Sequence, residues 1–309
     1  MKALRIHAFG GPEVLKMEDV PIPRPAADEV LVKVHATSIN PIDWKIRKGA
    51  SKGRFPITFP FTPGWDLSGV VEQAGSDVQR FKQGDEIYGR PDPTRNGTYA
   101  EYIVVRADEV NFKPQSVDHV HAAAIPLAGL TAWQGLFDQG QLRKGQRVLI
   151  QAASGGVGTF AVQFAHWKGA FVIGTTSEAN IELVGALGAD EVIDYQTENF
   201  EELLKDVDLV FDTLGGDVQK KSLLVLNNGG KLVTTVKPEN QGEAEARDIV
   251  VKGYMAQSYP DQLGLLARLL DEGKFKPVIS KIIGLDEVAE AHRASEQGHV
   301  RGKIAVKIV

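Results

Sequence analysis

Residues 147–165, RVLIQAASGGVGTFAVQFA, constrain the fold of this chain more than any other stretch. A branched apolar run ends in small residues at 152–153, Gly155, Gly156 and Gly158 follow, and an apolar helical pattern opens at once. That order predicts strand, tight turn and helix. Glycine lets a backbone bend sharply and lets a bulky group come close to it. The first N–H groups of a helix lack internal acceptors and sit at the positive end of its dipole. A pyrophosphate suits such a loop. The spacing Ala153-x-Gly155-x-x-Gly158 is a variant of the dinucleotide fingerprint, with alanine at the first glycine position. Ser154, Gly155, Gly156, Val157 and Gly158 are therefore the candidate phosphate-binding residues, and Gly158 also allows the helix to pack tightly on the strand. A serine-hydrolase elbow is excluded, because Ala152 stands two residues before Ser154 where that motif has glycine.

The surrounding chain supplies the context such a loop needs. Between about 125 and 260, strand-like runs at 147–152, 171–175, 191–194, 209–212 and 231–235 alternate with helical patterns at 158–168, 178–187, 198–205 and 217–226. This rhythm predicts a parallel sheet covered by helices on both faces. The runs are nearly continuous Val, Ile and Leu, as strands buried on both faces are. Residues 1 to about 120 read differently. EVLVKVHA at 29–36 alternates with a period of two, further short β candidates lie at 69–73 and 101–105, and Gly-Asp, Asn-Gly and many prolines punctuate them. Many short strands with turns predict a barrel-like β domain. A helix at 261–272 and a last β segment at 303–309 are expected to return to that first domain.

The second strand of the alternating region bears on which dinucleotide would fit. An acid at its tip holds a ribose 2′-hydroxyl, whereas here the tip reads Gly174-Thr175-Thr176-Ser177, with no acid until Glu178. Hydroxyls can donate to a 2′-phosphate, and an acid would repel it, so the tip points to NADPH. No Lys or Arg stands in the loop as far as Asn180.

Composition narrows the chemistry. The 309 residues contain no Cys, which removes disulfides, thiolate zinc sites, iron–sulfur clusters and Cys nucleophiles together. A net charge of −5 does not fit a nucleic-acid binder. The N-terminus lacks the apolar core of a signal peptide, and no run is apolar enough for a membrane helix, so a cytoplasmic protein is expected. His119 and His121 fall in a polar connector and read as an exposed turn, not as metal ligands.

Three stretches, ATSINPIDWKIRKG (36–49), PGWDLSGVV (63–71) and AASGGVG (152–158), resemble the zinc-free quinone oxidoreductase branch of the medium-chain dehydrogenase/reductase superfamily. GTYAEY (97–102), LAGLTAW (127–133), LGADEVIDY (187–195) and RGKIAV (301–306) are similar to that branch as well. The resemblance implies an α/β protein: a GroES-like β-barrel domain, residues 1–122 with 263–309, and an inserted Rossmann doubly wound parallel-sheet domain, residues 123–262, with the active site in the cleft. Zinc-dependent relatives have Cys where Asn40 stands and His-Glu where Trp65-Asp66 stand, so no metal is implied. By the same resemblance Asn40, Pro41 and Asp43 line the nicotinamide side and Thr131 faces the nicotinamide, which makes Asn40, Asp43 and Thr131 the candidate catalytic residues. Trp44 takes a position often held by an aromatic. Thr176, Ser177 and Tyr195 surround the 2′-phosphoribose, and Arg301 reaches back to the cofactor. The implied reaction is metal-free hydride transfer from NADPH to a quinone or an α,β-unsaturated carbonyl, in a homodimer joined at the Rossmann sheet edges through 231–236 and 252–259. Tyr88 and Tyr254 are candidate proton donors that read better as structural. Two alternatives remain at this level: an enoyl-thioester reductase, and a non-catalytic NADP-binding sensor or stress protein.

Overall fold

The computed structural model describes residues 1–50, 53–239 and 241–309, and the chain divides into two compact units. Unit 1 comprises Met1–Leu127, Ser258–Gly273 and Pro277–Val309; unit 2 comprises Ala128–Gln257 and Lys274–Lys276. The strands are β1 (Lys2–Arg5), β2 (Lys16–Asp19), β3 (Glu29–Ser38), β4 (Leu67–Ala74), β5 (Glu86–Gly89), β6 (Tyr102–Arg106), β7 (Val110–Phe112), β8 (Arg147–Ile150), β9 (Phe171–Thr176), β10 (Glu191–Asp194), β11 (Val207–Asp212), β12 (Leu226–Thr234), β13 (Val250–Gly253), β14 (Ile279–Ile283) and β15 (Lys303–Lys307). The helices are α1 (Pro41–Arg47), α2 (His119–Ala123), α3 (Pro126–Trp133), α4 (Gly156–Lys168), α5 (Ile181–Ala186), α6 (Phe200–Leu203), α7 (Gly216–Val225), α8 (Gln241–Glu245), α9 (Pro260–Asp271) and α10 (Val288–Gln297). None of the helices among the described residues is long and apolar enough to cross a membrane.

Unit 1 is organised by β3. Its alternation places Val30, Val32, Val34 and Ala36 in the interior with no exposed surface. Burying each of the three valines stabilises by about 1.5–3 kcal/mol. The strand pairs antiparallel with β4, β6 and β15, within a sheet ordered β14-β15-β3-β4-β5-β7 to which β6 is added on β3. Leu67, Val71, Phe81, Ile87, Ile103 and Val105 close the core over the valines of β3. The chain turns from strand to helix at Asn40, whose extended backbone ends β3 and whose N–H is accepted by the Asp43 carboxylate. Pro41 takes the first helical position, where its missing N–H costs nothing.

Unit 2 contains a six-stranded, all-parallel sheet ordered β10-β9-β8-β11-β12-β13. Chain order along the sheet is 3-2-1-4-5-6, the doubly wound arrangement, and it reverses between β8 and β11. Ligands of such sheets bind beyond the carboxyl ends of the strands at that reversal. Val148, Leu149, Ile150, Val172 and Ile173 are wholly buried, as strands covered on both faces must be. The segment 178–187, expected as one helix, is a 3-10 turn at Glu178–Asn180 followed by α5. The strand β13 lies at the sheet edge with Val250 half exposed, so it lacks the apolar run that marks the inner strands.

Candidate active site

The glycine loop of unit 2 joins β8 to α4. Ala152 adopts a left-handed φ of 54° and Gly155 caps the helix in an extended conformation, with its N–H bonded to the Ala152 carbonyl at 3.0 Å. The first N–H groups of α4, from Gly156, Val157 and Gly158, have no acceptor within the helix. Gly158 is required on the inner side: a Cβ there would lie 2.2 Å from the Ala152 carbonyl oxygen. An open cradle of helix N-terminal donors on a small-residue turn fits the pyrophosphate of a dinucleotide.

At the tip of β9, Thr176 is buried and its hydroxyl donates to Ser154 Oγ at 2.8 Å, which ties the second strand to the glycine loop. Ser177 Oγ accepts from Asn180 Nδ2 at 3.1 Å, leaving its own O–H to donate elsewhere. Tyr195, about half exposed, bonds through its N–H to the Thr176 carbonyl at 3.1 Å. Ser154, the glycines, Thr176, Ser177 and Tyr195 thus gather at one end of one sheet. Thr131 is buried on α3 in the same unit, and its carbonyl accepts from the Tyr254 hydroxyl at 2.5 Å. Asn40, Pro41, Asp43 and the exposed Arg301 belong to unit 1.

Within unit 1, Asn40 is the middle of a buried polar cluster. Its Nδ2 donates to Asp66 Oδ2 at 2.7 Å and its Oδ1 accepts from Lys303 Nζ. Lys303 also donates to the Ile39 carbonyl at 3.0 Å and pairs with Asp66 at 3.3 Å. Asp66 is completed by the Ser38 hydroxyl and by the Leu127 N–H at 2.7 Å. Both carboxylate oxygens have donors, and a lysine cation balances a carboxylate with no exposed surface. This donor set does not fit a zinc ion. Asn40 offers a neutral amide already bonded at both ends, Trp65 has no lone pair to give, and Asp66 already has its counter-ion.

Asp43 stands at the end of a second chain. Its Oδ2 accepts from Asn40 N–H at 2.8 Å and from the Tyr99 hydroxyl at 2.9 Å; its Oδ1 is buried without a partner. Burial pushes its pKa up to about 7, against those two donors. His292 Nε2 lies 3.2 Å from Tyr99 Oη, and its Nδ1 lies 3.1 Å from an Arg47 N–H. Arginine only donates, so Nδ1 accepts, Nε2 carries the hydrogen, and Tyr99 is left to donate to Asp43. Burial and the Arg47 charge push the His292 pKa down to about 3. The fully buried Arg47 also reaches the Gly10 carbonyl and Glu296.

The tyrosines read as structural donate to backbone carbonyls: Tyr88 to Leu263 at 2.6 Å, Tyr254 to Thr131. Burial holds both phenols far above their ordinary pKa. His119 is not in the exposed turn expected of it. It begins α2, half buried, with Ser68 Oγ at 2.8 Å, Glu86 at 3.1 Å and the His35 ring stacked at 4.3 Å. Sequence reasoning missed Lys303, Tyr99, His292 and Arg47 as partners of Asn40 and Asp43. The one visible signal was a lysine and an arginine standing among residues that pattern as interior.

Residues 26–115 match the family described as alcohol dehydrogenase GroES-like domain, and residues 187–306 the family described as zinc-binding dehydrogenase. The chain is 38% identical to the mitochondrial NAD(P)H oxidoreductase RTN4IP1 of Mus musculus, across 100% of this chain and 89% of that protein. It is 36% identical to the chloroplastic NADPH-dependent alkenal/one oxidoreductase of Arabidopsis thaliana, across 99% of this chain and 79% of that protein. The solved quinone oxidoreductase of Coxiella burnetii superposes with a TM-score of 0.93 at 38% identity, covering 100% of this chain and 99% of that one.

Proposed function

Because the chain belongs to the quinone oxidoreductase branch of the medium-chain dehydrogenase/reductase superfamily, and is an NAD(P)H oxidoreductase, we propose that it reduces quinones or α,β-unsaturated carbonyls, that it prefers NADPH, and that it does so without a metal. The Asn40–Asp66–Lys303 cluster carries this reading. Reduction of an unactivated ketone calls for a strong Lewis acid. Where a metal ion would need thiolate, imidazole or free carboxylate, this chain has a bonded amide, an indole and a lysine-paired carboxylate. The acceptor must therefore bring its own electron deficiency, as quinones and enones do. The relatives named for quinones and for alkenals and alkenones support the same class.

The reduced nicotinamide supplies a hydride when bound. The protein's part is positional. The N–H groups of Gly156, Val157 and Gly158 hold the pyrophosphate. Thr176, bonded to Ser154, fixes the loop against β9. The Ser177 O–H, free to donate, meets a 2′-phosphate. Loss of the interactions made only with NADPH is worth about tenfold in kcat/KM, or ~1.4 kcal/mol.

Deuterium carried on C4 of NADPH tests the reaction. It is expected on the β-carbon of the saturated ketone, with the α-hydrogen drawn from water. Label in a carbinol C–H with the double bond intact would overturn the reading. Ser177→Asp should shift kcat/KM toward NADH by about tenfold; equal use of both cofactors by the unaltered protein contradicts the preference.

A further inference from the structure

Within unit 2, α3 does not continue as a regular helix. Gln134–Gln139 is a π-helix, and the Gly140 N–H reaches back five residues to the Gly135 carbonyl at 2.9 Å. Such wide turns are rare and gather at functional sites. The segment runs against the direction of β11. Gly140 lies beside Leu209, and a Cβ on Gly135 would stand 2.3 Å from the Phe211 ring. From Leu209 to Phe211 the strand nears its carboxyl end, while the helix counts back from 140 to 135. Thr131, four residues further back and about 6 Å further along the axis, therefore lies at the carboxyl end of the sheet. The glycine loop leaves β8 at that same end, where the Gln151 N–H bonds the Phe211 carbonyl at 3.0 Å. Two ties hold this end of α3 to the chain after β13. The Tyr254 hydroxyl donates to the Thr131 carbonyl at 2.5 Å. The buried Gln134 amide accepts from the Gln257 N–H at 2.9 Å and donates to the Gln257 carbonyl at 2.8 Å. Glycine at 135 lets the phenol pass, since a Cβ there would stand 2.5 Å from its oxygen.

We propose that Tyr254 is a positioning residue for the nicotinamide half of the dinucleotide: its hydroxyl, bonded to the Thr131 carbonyl, sets where the end of α3 meets that ring. The inference rests on the dinucleotide reading above. A doubly wound sheet is built of two mononucleotide-binding halves that meet at its reversal. The glycine loop and the Thr176-Ser177 tip belong to the β8–β10 half, which takes the adenosine side. The nicotinamide then falls to the β11–β13 half. Tyr254 and Thr131 stand at the carboxyl end of that half, where the Tyr254 N–H bonds the Thr234 carbonyl, the last of β12, at 3.1 Å. Tyr254 gives up no proton in this role, because its hydrogen is engaged by Thr131 and burial suppresses its ionisation. A turn fixed from two sides before the ligand arrives leaves less freedom to be lost on binding.

The test is calorimetric and compares two ligands, NADPH and 2′-phospho-ADP-ribose, which is the same molecule without its nicotinamide. Tyr254→Phe keeps the ring and removes only the donor. It should weaken NADPH binding about tenfold, the equivalent of one well-made hydrogen bond. It should leave the Kd for 2′-phospho-ADP-ribose unchanged. Where Tyr254→Phe does not fold, Gln134→Glu carries the test: it keeps an acceptor for the Gln257 N–H, loses the donor to the Gln257 carbonyl, and should show the same selective loss. Equal weakening of both ligands would show a merely structural role and overturn the proposal, as would NADPH binding that does not change. If the unaltered protein binds NADPH but reduces neither cyclohex-2-enone nor 1,4-benzoquinone, the reductase reading falls by itself, and the comparison of the two ligands still decides for Tyr254. If the unaltered protein binds neither ligand, the dinucleotide reading falls and the role of Tyr254 falls with it.

Discussion

Asp43 and His292 meet across the Tyr99 hydroxyl, and burial pulls their proton affinities in opposite directions. The Asp43 pKa rises from 3.8 to about 7 on folding. The folded state therefore holds a proton that the unfolded chain releases, and stability falls as pH rises through that window. At about 1.4 kcal/mol per unit, some three units leave the folded protein roughly 4 kcal/mol weaker at pH 8 than with a neutral group in that place. The His292 pKa drops from 6.5 to about 3. Here the unfolded chain takes up a proton that the folded state refuses, so stability falls as pH drops below 6.5. Between pH 4 and 6.5 the two slopes oppose one another, and the unaltered protein should show little net dependence from this pair. Asp43→Asn removes one of them. The amide oxygen can still accept from Tyr99 and Asn40, while the amide nitrogen takes the place of the unpartnered Oδ1 and costs about 1–3 kcal/mol as a buried unmet donor. The variant should be about 1–3 kcal/mol more stable at pH 8, and that advantage should shrink by about 2–3 kcal/mol at pH 5. Denaturant unfolding at pH 5, 6, 7 and 8 measures both quantities. A difference between the two proteins that does not change with pH would refute the reasoning.

Lys303→Met leaves the Asp66 carboxylate buried without its counter-ion and should cost about 3–5 kcal/mol in denaturant unfolding. Adding Asp66→Asn should recover most of it, and simple additivity of the two losses would contradict the pairing. Gly158→Ala brings a Cβ to 2.2 Å from the Ala152 carbonyl oxygen, so the loop must shift. It should cost about 1–3 kcal/mol and weaken NADPH binding at least tenfold by titration; an unchanged Kd would show that this loop does not hold the pyrophosphate.

What was legible in the sequence was whatever a short local pattern can carry. The glycine loop declares itself because strand, turn and helix follow within twenty residues, and the four inner strands of unit 2 because burial on both faces writes apolar runs; the edge strand β10 shows as a short Val-Ile pair. The edge strand β13 escaped because half of it faces outward. The polar clusters escaped for a different reason. Lys303 meets Asn40 across 263 residues and His292 meets Tyr99 across 193, and no periodicity joins positions so far apart.

The pairing of β3 with β15 also has a consequence for synthesis. On one edge of β3, Ala36, Thr37 and Ser38 pair with Lys307, Val306 and Ala305, which follow them by more than 260 residues. Lys303 leaves the ribosome 263 residues after Asn40, which at ~5–20 residues per second is on the order of 10–50 s. Throughout that interval the nascent β3 keeps an open edge and Asp66 keeps its water, while the strands of unit 2 emerge together and can pair among themselves. Unit 2 is thus free to fold before β15 completes the sheet that β3 began.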